Sequence, residues 1–370
     1  MTTPVRYIRV QAKTNFFSPA TRPTGNIAII GAVTPPAGAT DLIDANKPTV
    51  FVDPDDAIAR APGALGTAVA LALRQEPGPG TIYGVRLAST PNYTESLATI
   101  ATLPVQLVVI AGARLSSGTP AESIVKLADH VKGPFADGLE RMGVAMLAKG
   151  DTDPAVITGT LSTDRMVYVA HKSDEDVAAA VAGTIGGYEP HVSLLLKKVN
   201  GVDSEPFTAG ELVKLNGSEN NDAGPAGHNV NWLVNPALIP GEGIYLGEGY
   251  TGASGLTDKK YIDIVRTLDD ITYRLKASLI ATIGDLRMTR TGLRALTGEM
   301  EAVLEPLRRT EVIDDYEVVV PILALLDKPQ PTQVDKDLIK AARDARLAES
   351  LVRITYAGAI HRLTIKLTFE

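Results

Sequence analysis

Between Asn26 and about Gly187, short apolar runs alternate with helix-forming segments, and this alternation constrains the fold more than any other feature of the chain. The strand candidates are Ile27 to Ile30, Thr49 to Val52, Thr81 to Leu87, Val105 to Ala111, Gly143 to Leu147 and Met166 to Ala170. Between them, the segments around Asp55 to Arg74, Ser123 to Val131 and Asp174 to Ile185 have helical composition. The last is alanine-rich behind an acidic start that suits the helix dipole. Strands separated by helices are the pattern of βαβ units, so residues 21–188 are expected to form an α/β domain with a mostly parallel sheet.

Both ends of the chain read as strands. Val5 to Ala12 is a β-prone run with no partner nearby in sequence, and residues 1–20 are read as an arm. At the other end Leu363, Ile365, Leu367 and Phe369 alternate with polar residues, and Val352, Ile354 and Tyr356 do so just before them. A terminal strand with one apolar face needs a sheet edge, from its own chain or from a neighbour by β-augmentation.

Residues 189–255 are punctuated by Gly and Pro clusters and read as loops and short strands. Residues 256–370 carry denser helical patterns. Val265, Leu268, Ile271, Leu275, Leu279 and Ile283 recur at three- and four-residue steps and predict one long amphipathic helix. A second helix carries Leu293, Leu296, Met300, Val303 and Leu307, with Pro306 late in it. A strand is expected over Tyr316 to Leu325. A charged helix is expected over Thr332 to Leu347, opened by Thr332 with Asp335 three residues on.

The chemistry-bearing residues form no catalytic pattern. There is no cysteine, which removes disulfides, thiolate nucleophiles and cysteine-ligated metals. His130, His171, His191, His228 and His361 are scattered, and no GxSxG, HExxH or Walker A sequence is present. Asp53, Asp55 and Asp56 read as a turn and a charged helix start, and so do Asp151 and Asp153. After IAIIG at Ile27 to Gly31, where a dinucleotide-binding turn would need further glycines, Pro35 and Pro36 follow. Over 370 residues, 45% hydrophobic and 21% charged content indicates a folded core, and the net charge of −7 offers no basic excess for nucleic acid. The N-terminal segment places Arg6 and Arg9 inside its one apolar stretch, unlike a signal peptide, and no window is apolar enough to span a bilayer. The expectation is a soluble protein made in the cytoplasm, with no cofactor, no metal and no enzymatic activity.

Several segments, in order, resemble the contractile tail sheath family of phage tails, R-type bacteriocins and contractile injection systems. GNIAIIGAVTPP looks like the family's opening strand, and Pro48 to Ala57 like the segment after it. PGALGTAVALALRQEPGPGTIYGVRL resembles the helix leading to a strand that ends in Val85 and Arg86. VAAAVAGTIGGYEP resembles the alanine-rich helix, and KKYIDIVRTLDDITYRL, from Lys259 to Leu275, the start of the long C-terminal helix. The family's aromatic and Phe-x-Pro-Asn sequence after that helix is absent, since IATIGDLRMTRTG stands there.

The resemblance implies a mixed α/β and α+β fold, with an outer α/β sandwich-like domain. An inner C-terminal domain of two long helices would pack on a small β-sheet completed by terminal strands of neighbouring subunits. It implies a structural subunit polymerising as stacked hexameric rings around an inner tail tube protein, with baseplate and tail terminator proteins as further partners, in a virion tail or injection-system particle. Val5, Tyr7, Ile8 and Val10 would link subunits at one end, and Leu363, Ile365, Leu367 and Phe369 at the other. Tube contact would fall to a charged helix, either the one ending in Glu305, Arg308 and Arg309 or the one carrying Lys336, Lys340, Arg343 and Arg346. A non-contractile shell or filament subunit and a ligand-binding α/β enzyme remain as alternatives, since fold alone does not establish function.

Overall fold

The structure is a computed structural model that describes residues 23–116, 118, 120–133, 138–217, 230–240, 243–253, 258–280 and 282–361. The expected linking residues at both ends, 5–10 and 363–369, lie outside the described residues, as does His228.

The expected parallel strands form and are buried on both faces. They are β1 (Ile27–Gly31), β3 (Ile82–Arg86), β4 (Leu107–Leu115), β5 (Met142–Leu147) and β6 (Met166–Ala170), with β2 (Thr49–Phe51) antiparallel at one edge. Three short strands, β7 (Lys198–Val199), β8 (Asn231–Val234) and β9 (Ile244–Leu246), continue the same sheet, in the order β2-β3-β1-β4-β5-β6-β8-β9-β7. The stretch 189–255, read as loops and short strands, thus contributes its strands to the large sheet.

Successive side chains of a strand point to opposite faces, and these strands divide accordingly. Ile27, Ile29, Leu107, Val109, Val144 and Val167 enter one core, with α2 (Ala64–Leu73) and α5 (Val177–Gly187). Ala28, Ile30, Val108, Ile110, Ala145 and Tyr168 enter the other, with α3 (Tyr93–Thr99) and α4 (Glu122–Lys132). A parallel sheet covered on both faces carries such continuous apolar runs. α5 is buried all round, and its small residues let it approach α2 closely: a Cβ on Gly183 would stand 2.6 Å from the Ala72 carbonyl oxygen.

Several local expectations are corrected. Asp55 to Arg74 is two helices, α1 (Pro54–Arg60) and α2, because Pro62 and Gly63 at φ 100° interrupt the run. Helix α3, capped by Asn92, forms between two expected strands where no helix was expected, and α6 (Ala209–Asn216), opened by a Thr208/Glu211 capping box, lies in the stretch read as loops and short strands. The strand expected over Tyr316 to Leu325 is β10 (Ile313–Val319). The rest of that apolar run is helix α9 (Pro321–Asp327), because Pro321 at the first helical position supplies a helical φ and lacks only an N–H that has no helical acceptor there.

The long helices form as expected, α7 over Ile262–Ile280 and α8 over Arg290–Arg309, although Ile283 falls beyond α7 and is exposed. α7 joins two cores. Ile262 and Val265 in its first turns sit in the core of the large sheet. Ile271, Leu275 and Leu279 pack with α8 and with the two-stranded antiparallel sheet of β10 and β11 (Leu351–Tyr356). Helix α10 (Gln333–Ala345) starts with the expected capping box, Thr332 with Asp335, and buries only Asp335 and Ile339.

Candidate assembly surfaces and the polar junction

The segment most specific in the sequence, Lys259 to Leu275, is where the large sheet meets the C-terminal helices, and each of its distinctive residues makes a contact there. Arg266, nearly fully buried, donates to the carbonyls of Thr24 (3.0 Å), Tyr188 (2.9 Å) and Glu189 (3.5 Å). Two of these follow the last turn of α5, where a cation complements the helix dipole. Asp269 takes a two-pronged pair from Arg165, at 2.6 and 2.9 Å, with side chains only 10% and 19% exposed. Asp270 pairs with Arg274 at 2.7 Å and Lys259 with Asp164 at 3.2 Å. Asp263 accepts from the Tyr356 hydroxyl at 2.7 Å, and burial pushes its carboxyl above the usual range. Buried charges are tolerable only when paired in this way.

Histidine 361 lies at the same junction. Its Nδ1 is 3.2 Å from Glu248 Oε2, its Nε2 is 2.8 Å from Ser193 Oγ, and its ring centroid is 4.6 Å from that of Tyr261. This chain of contacts has the connectivity of a hydrolytic triad. An acyl-transfer site also requires an available hydroxyl beside paired N–H donors, whereas the Ser193 oxygen accepts the Leu195 N–H and is tied into its own loop. Nothing in the sequence marks the cluster, because Ser193 and Glu248 are 168 and 113 residues from His361.

In open α/β sheets, ligands bind at the carboxyl ends of the strands where the strand order reverses. Here that point lies between β1 and β4, and it is filled by protein. Gly31 is packed so tightly that a Cβ would meet Ala111 at 2.8 Å and Leu65 at 3.1 Å, and the Leu65 N–H donates to the Ala32 carbonyl. Beyond it, the Gly112 N–H donates to Asp176 Oδ2 at 2.7 Å. The acidic runs are also accounted for. Asp53 caps α1 by accepting from the N–H groups of Asp55 and Asp56, and Asp153 accepts from the Ala155 N–H. Among the described residues no group of three or more His, Asp or Glu side chains is arranged to hold a metal, and no helix is long and apolar enough to cross a membrane.

The two charged segments differ in what their side chains do. At the end of α8, Glu305 is gripped by Arg308 and Arg309 at 3.0 Å and by the Tyr316 hydroxyl at 3.3 Å, so its carboxyl is held down at about 2. These charges satisfy one another along their own helix. On α10, Lys336, Lys340, Arg343 and Arg346 are all exposed. Lys340 meets Asp344 at 2.8 Å, Arg343 reaches the Met288 carbonyl, and Arg346 caps the helix in the left-handed conformation. The exposed surface of α10 also carries Val334 and Leu338, 67% and 51% exposed.

No family model matches the chain, and no curated relative does. Solved structures do match along its whole length. A chain of the contracted sheath complex of an extracellular contractile injection system, PVC, superposes with a TM-score of 0.68 at 14% identity, covering 100% of this chain and 98% of that one. The contracted helical sheath of the anti-feeding prophage gives 0.64 at 14% identity, with 100% of each chain covered. A chain of the same prophage's six-fold symmetrised baseplate gives 0.63 at 15% identity, covering 100% and 99%. From end to end, this chain has the fold seen in the sheaths of contractile injection systems.

Proposed function

We propose that the chain is a structural subunit of a contractile sheath, polymerising with copies of itself around an inner tube. The observation that carries this reading is the fold match over the full length of chains from two contracted sheath structures. The filled crevice between β1 and β4 favours a structural role over a ligand-binding one.

In this reading six subunits form each ring and rings stack helically. The segments holding Val5, Tyr7, Ile8 and Val10 and holding Leu363, Ile365, Leu367 and Phe369 join the sheets of neighbouring subunits, with the α/β part outward and the part after Leu256 inward. Contraction draws on subunit surface buried only in the contracted packing: at roughly 25 cal/mol per Å², each additional ~400 Å² of apolar burial supplies about 10 kcal/mol. Helix α10 is the stronger of the two candidates for tube contact, because its exposed surface combines Lys336, Lys340, Arg343 and Arg346 with the exposed apolar side chains of Val334 and Leu338, whereas both cations at the end of α8 close on the single carboxylate of Glu305. Exposed ion pairs worth about 0 to 1 kcal/mol each hold a tube and still release it. A baseplate and a tail terminator close the two ends, and the particle is a phage tail or an injection system.

Electron microscopy of the protein expressed alone, beside a form lacking residues 1–15, tests the reading. Hollow cylinders from the full chain that are lost on truncation are the expected result. Compact monomers from both forms would overturn it, and a single fixed lattice that never changes pitch would remove the contractile part.

A further inference from the structure

We infer that the segment from Tyr356 to His361 is a latch, which returns the chain from the end of β11 to the rim of the large sheet. A pull on the residues beyond it is then borne by the large sheet and not by the pairing of β11 with β10. That such a pull exists rests on the sheath reading above; the latch itself rests on the contacts below.

β11 is poorly suited to resist a pull from its own end. Its register runs antiparallel to β10 from Val319↔Leu351 to Ile313↔Tyr356, and every second residue of it is exposed. Only one face of the ribbon, through Val352 and Ile354, packs on α7 and α8, and a two-stranded ribbon depends on such packing for its stability. Tension at its last residue would break its hydrogen bonds one at a time.

The residues that follow have no packing of their own. Ala357 to Ile360 are exposed, Ile360 at 85%, and Gly358 turns the chain at φ 65°, a conformation that favours glycine. Yet the segment is fixed at both ends by side chains that reach away from the small sheet. At one end the Tyr356 hydroxyl lies 2.7 Å from the Asp263 carboxylate and 3.2 Å from the His191 carbonyl. At the other, the His361 and Glu248 side chains are only 10% and 7% exposed.

Both ring nitrogens of the histidine are engaged, Nδ1 with the Glu248 carboxylate and Nε2 with the Ser193 hydroxyl, so the contacts hold the ring from two sides. Neither anchor belongs to the C-terminal sheet. Ser193 and His191 lie on the loop between α5 and β7, and Glu248 follows β9. The same loop holds Leu196 at φ 54°, a strained conformation for leucine that its N–H bond to the Leu246 carbonyl (2.8 Å) helps to maintain. The latch therefore ties the base of the C-terminal segment to β9 and to the start of α7.

Single-molecule pulling on the full chain, with one handle at the C-terminus and one at exposed Gly38, tests this directly. The wild type should show no early event before the large sheet unfolds. His361→Ala should add a low-force event whose length matches release of the chain from Leu351 onward. Ser193→Ala and Glu248→Gln should add the same event at intermediate frequency, and they serve if His361→Ala does not fold.

Amide hydrogen exchange on the unloaded monomer gives the second readout. His361→Ala should exchange about tenfold faster over residues 357–361, and His361→Gln, which keeps a donor and an acceptor, should recover part of the protection. Early release in the wild type, or identical traces and exchange in all variants, would overturn the latch. Both measurements use monomers, so a failure to form cylinders would count against the sheath reading and leave the latch standing.

Discussion

The pair between Arg165 and Asp269 carries a sharp energetic expectation. Both oxygens of Asp269 are engaged, at 2.6 and 2.9 Å, and the side chains are 19% and 10% exposed. Breaking a fully buried pair costs about 3–5 kcal/mol, because the surviving charge is stranded, whereas an exposed pair is worth about 0–1 kcal/mol. At this burial the cost should approach the upper regime. It is moderated because Asp164 and Glu140 also lie near Arg165 and favour its charged form. Asp269→Asn is therefore expected to lose about 2–3 kcal/mol. Replacing both partners by apolar residues of similar size, Arg165→Met with Asp269→Leu, should return to within about 1 kcal/mol of wild type, since neither charge then has to be desolvated. Urea unfolding followed by the fluorescence of Trp232, the single tryptophan and a buried residue of β8, reads the result. With m near 2–3 kcal/mol/M, the single variant should shift its midpoint down by about 1 M. If Arg165→Met alone and Asp269→Leu alone add to give the double variant within about 0.5 kcal/mol, the pair is not coupled and the reasoning fails.

Burial, and secondarily Arg141, lowers the pKa of His130 from 6.5 to about 4, so the folded protein keeps this imidazole neutral where the unfolded chain protonates it. The associated stability is complete above pH 6.5, falls as the pH drops from 6.5 to 4, and is constant below that, for a total on the order of 3 kcal/mol. His130→Gln should flatten that part of the stability profile between pH 7 and 5, and an unchanged slope would exclude the assignment. Gly298 lies inside α8 with nothing within 4 Å of an added Cβ, so Gly298→Ala should raise stability by about 1 kcal/mol in denaturant unfolding. Gly183→Ala in α5 should lower it by about 1–3 kcal/mol in the same assay, because the new Cβ meets the backbone of Ala72. Reversing Lys336 and Lys340 to glutamate should abolish co-assembly with an inner tube in a pull-down and leave the melting temperature within about 2 °C, while Arg309→Glu should have the smaller effect.

The order of the parallel strands and of the long C-terminal helices was legible in the sequence because it depends on local periodicity. Ile27 and Ile29 had to face one way and Ala28 and Ile30 the other whatever packed on them, and the Thr332/Asp335 box could open α10 without tertiary help. The steps of Val265, Ile271 and Leu275 likewise specified a helix. They did not reveal that its two halves belong to different cores. Apolar runs were ambiguous where length alone separated strand from helix, as at Tyr316 to Leu325, where Pro321 decides the change.

Tertiary structure alone decided the junction. Arg165 meets Asp269 across 104 residues, and Tyr356 meets Asp263 across 93. A polar side chain carries no mark in the sequence of whether it will be buried or which partner will neutralise it. The motif around Tyr261, Asp263 and Arg266 was visible as a pattern, but its role emerged only when the fold placed the end of α5, Ser193, Glu248 and His361 around it. The charge of a residue is local, while the desolvation that requires a partner for that charge is set by everything packed against it.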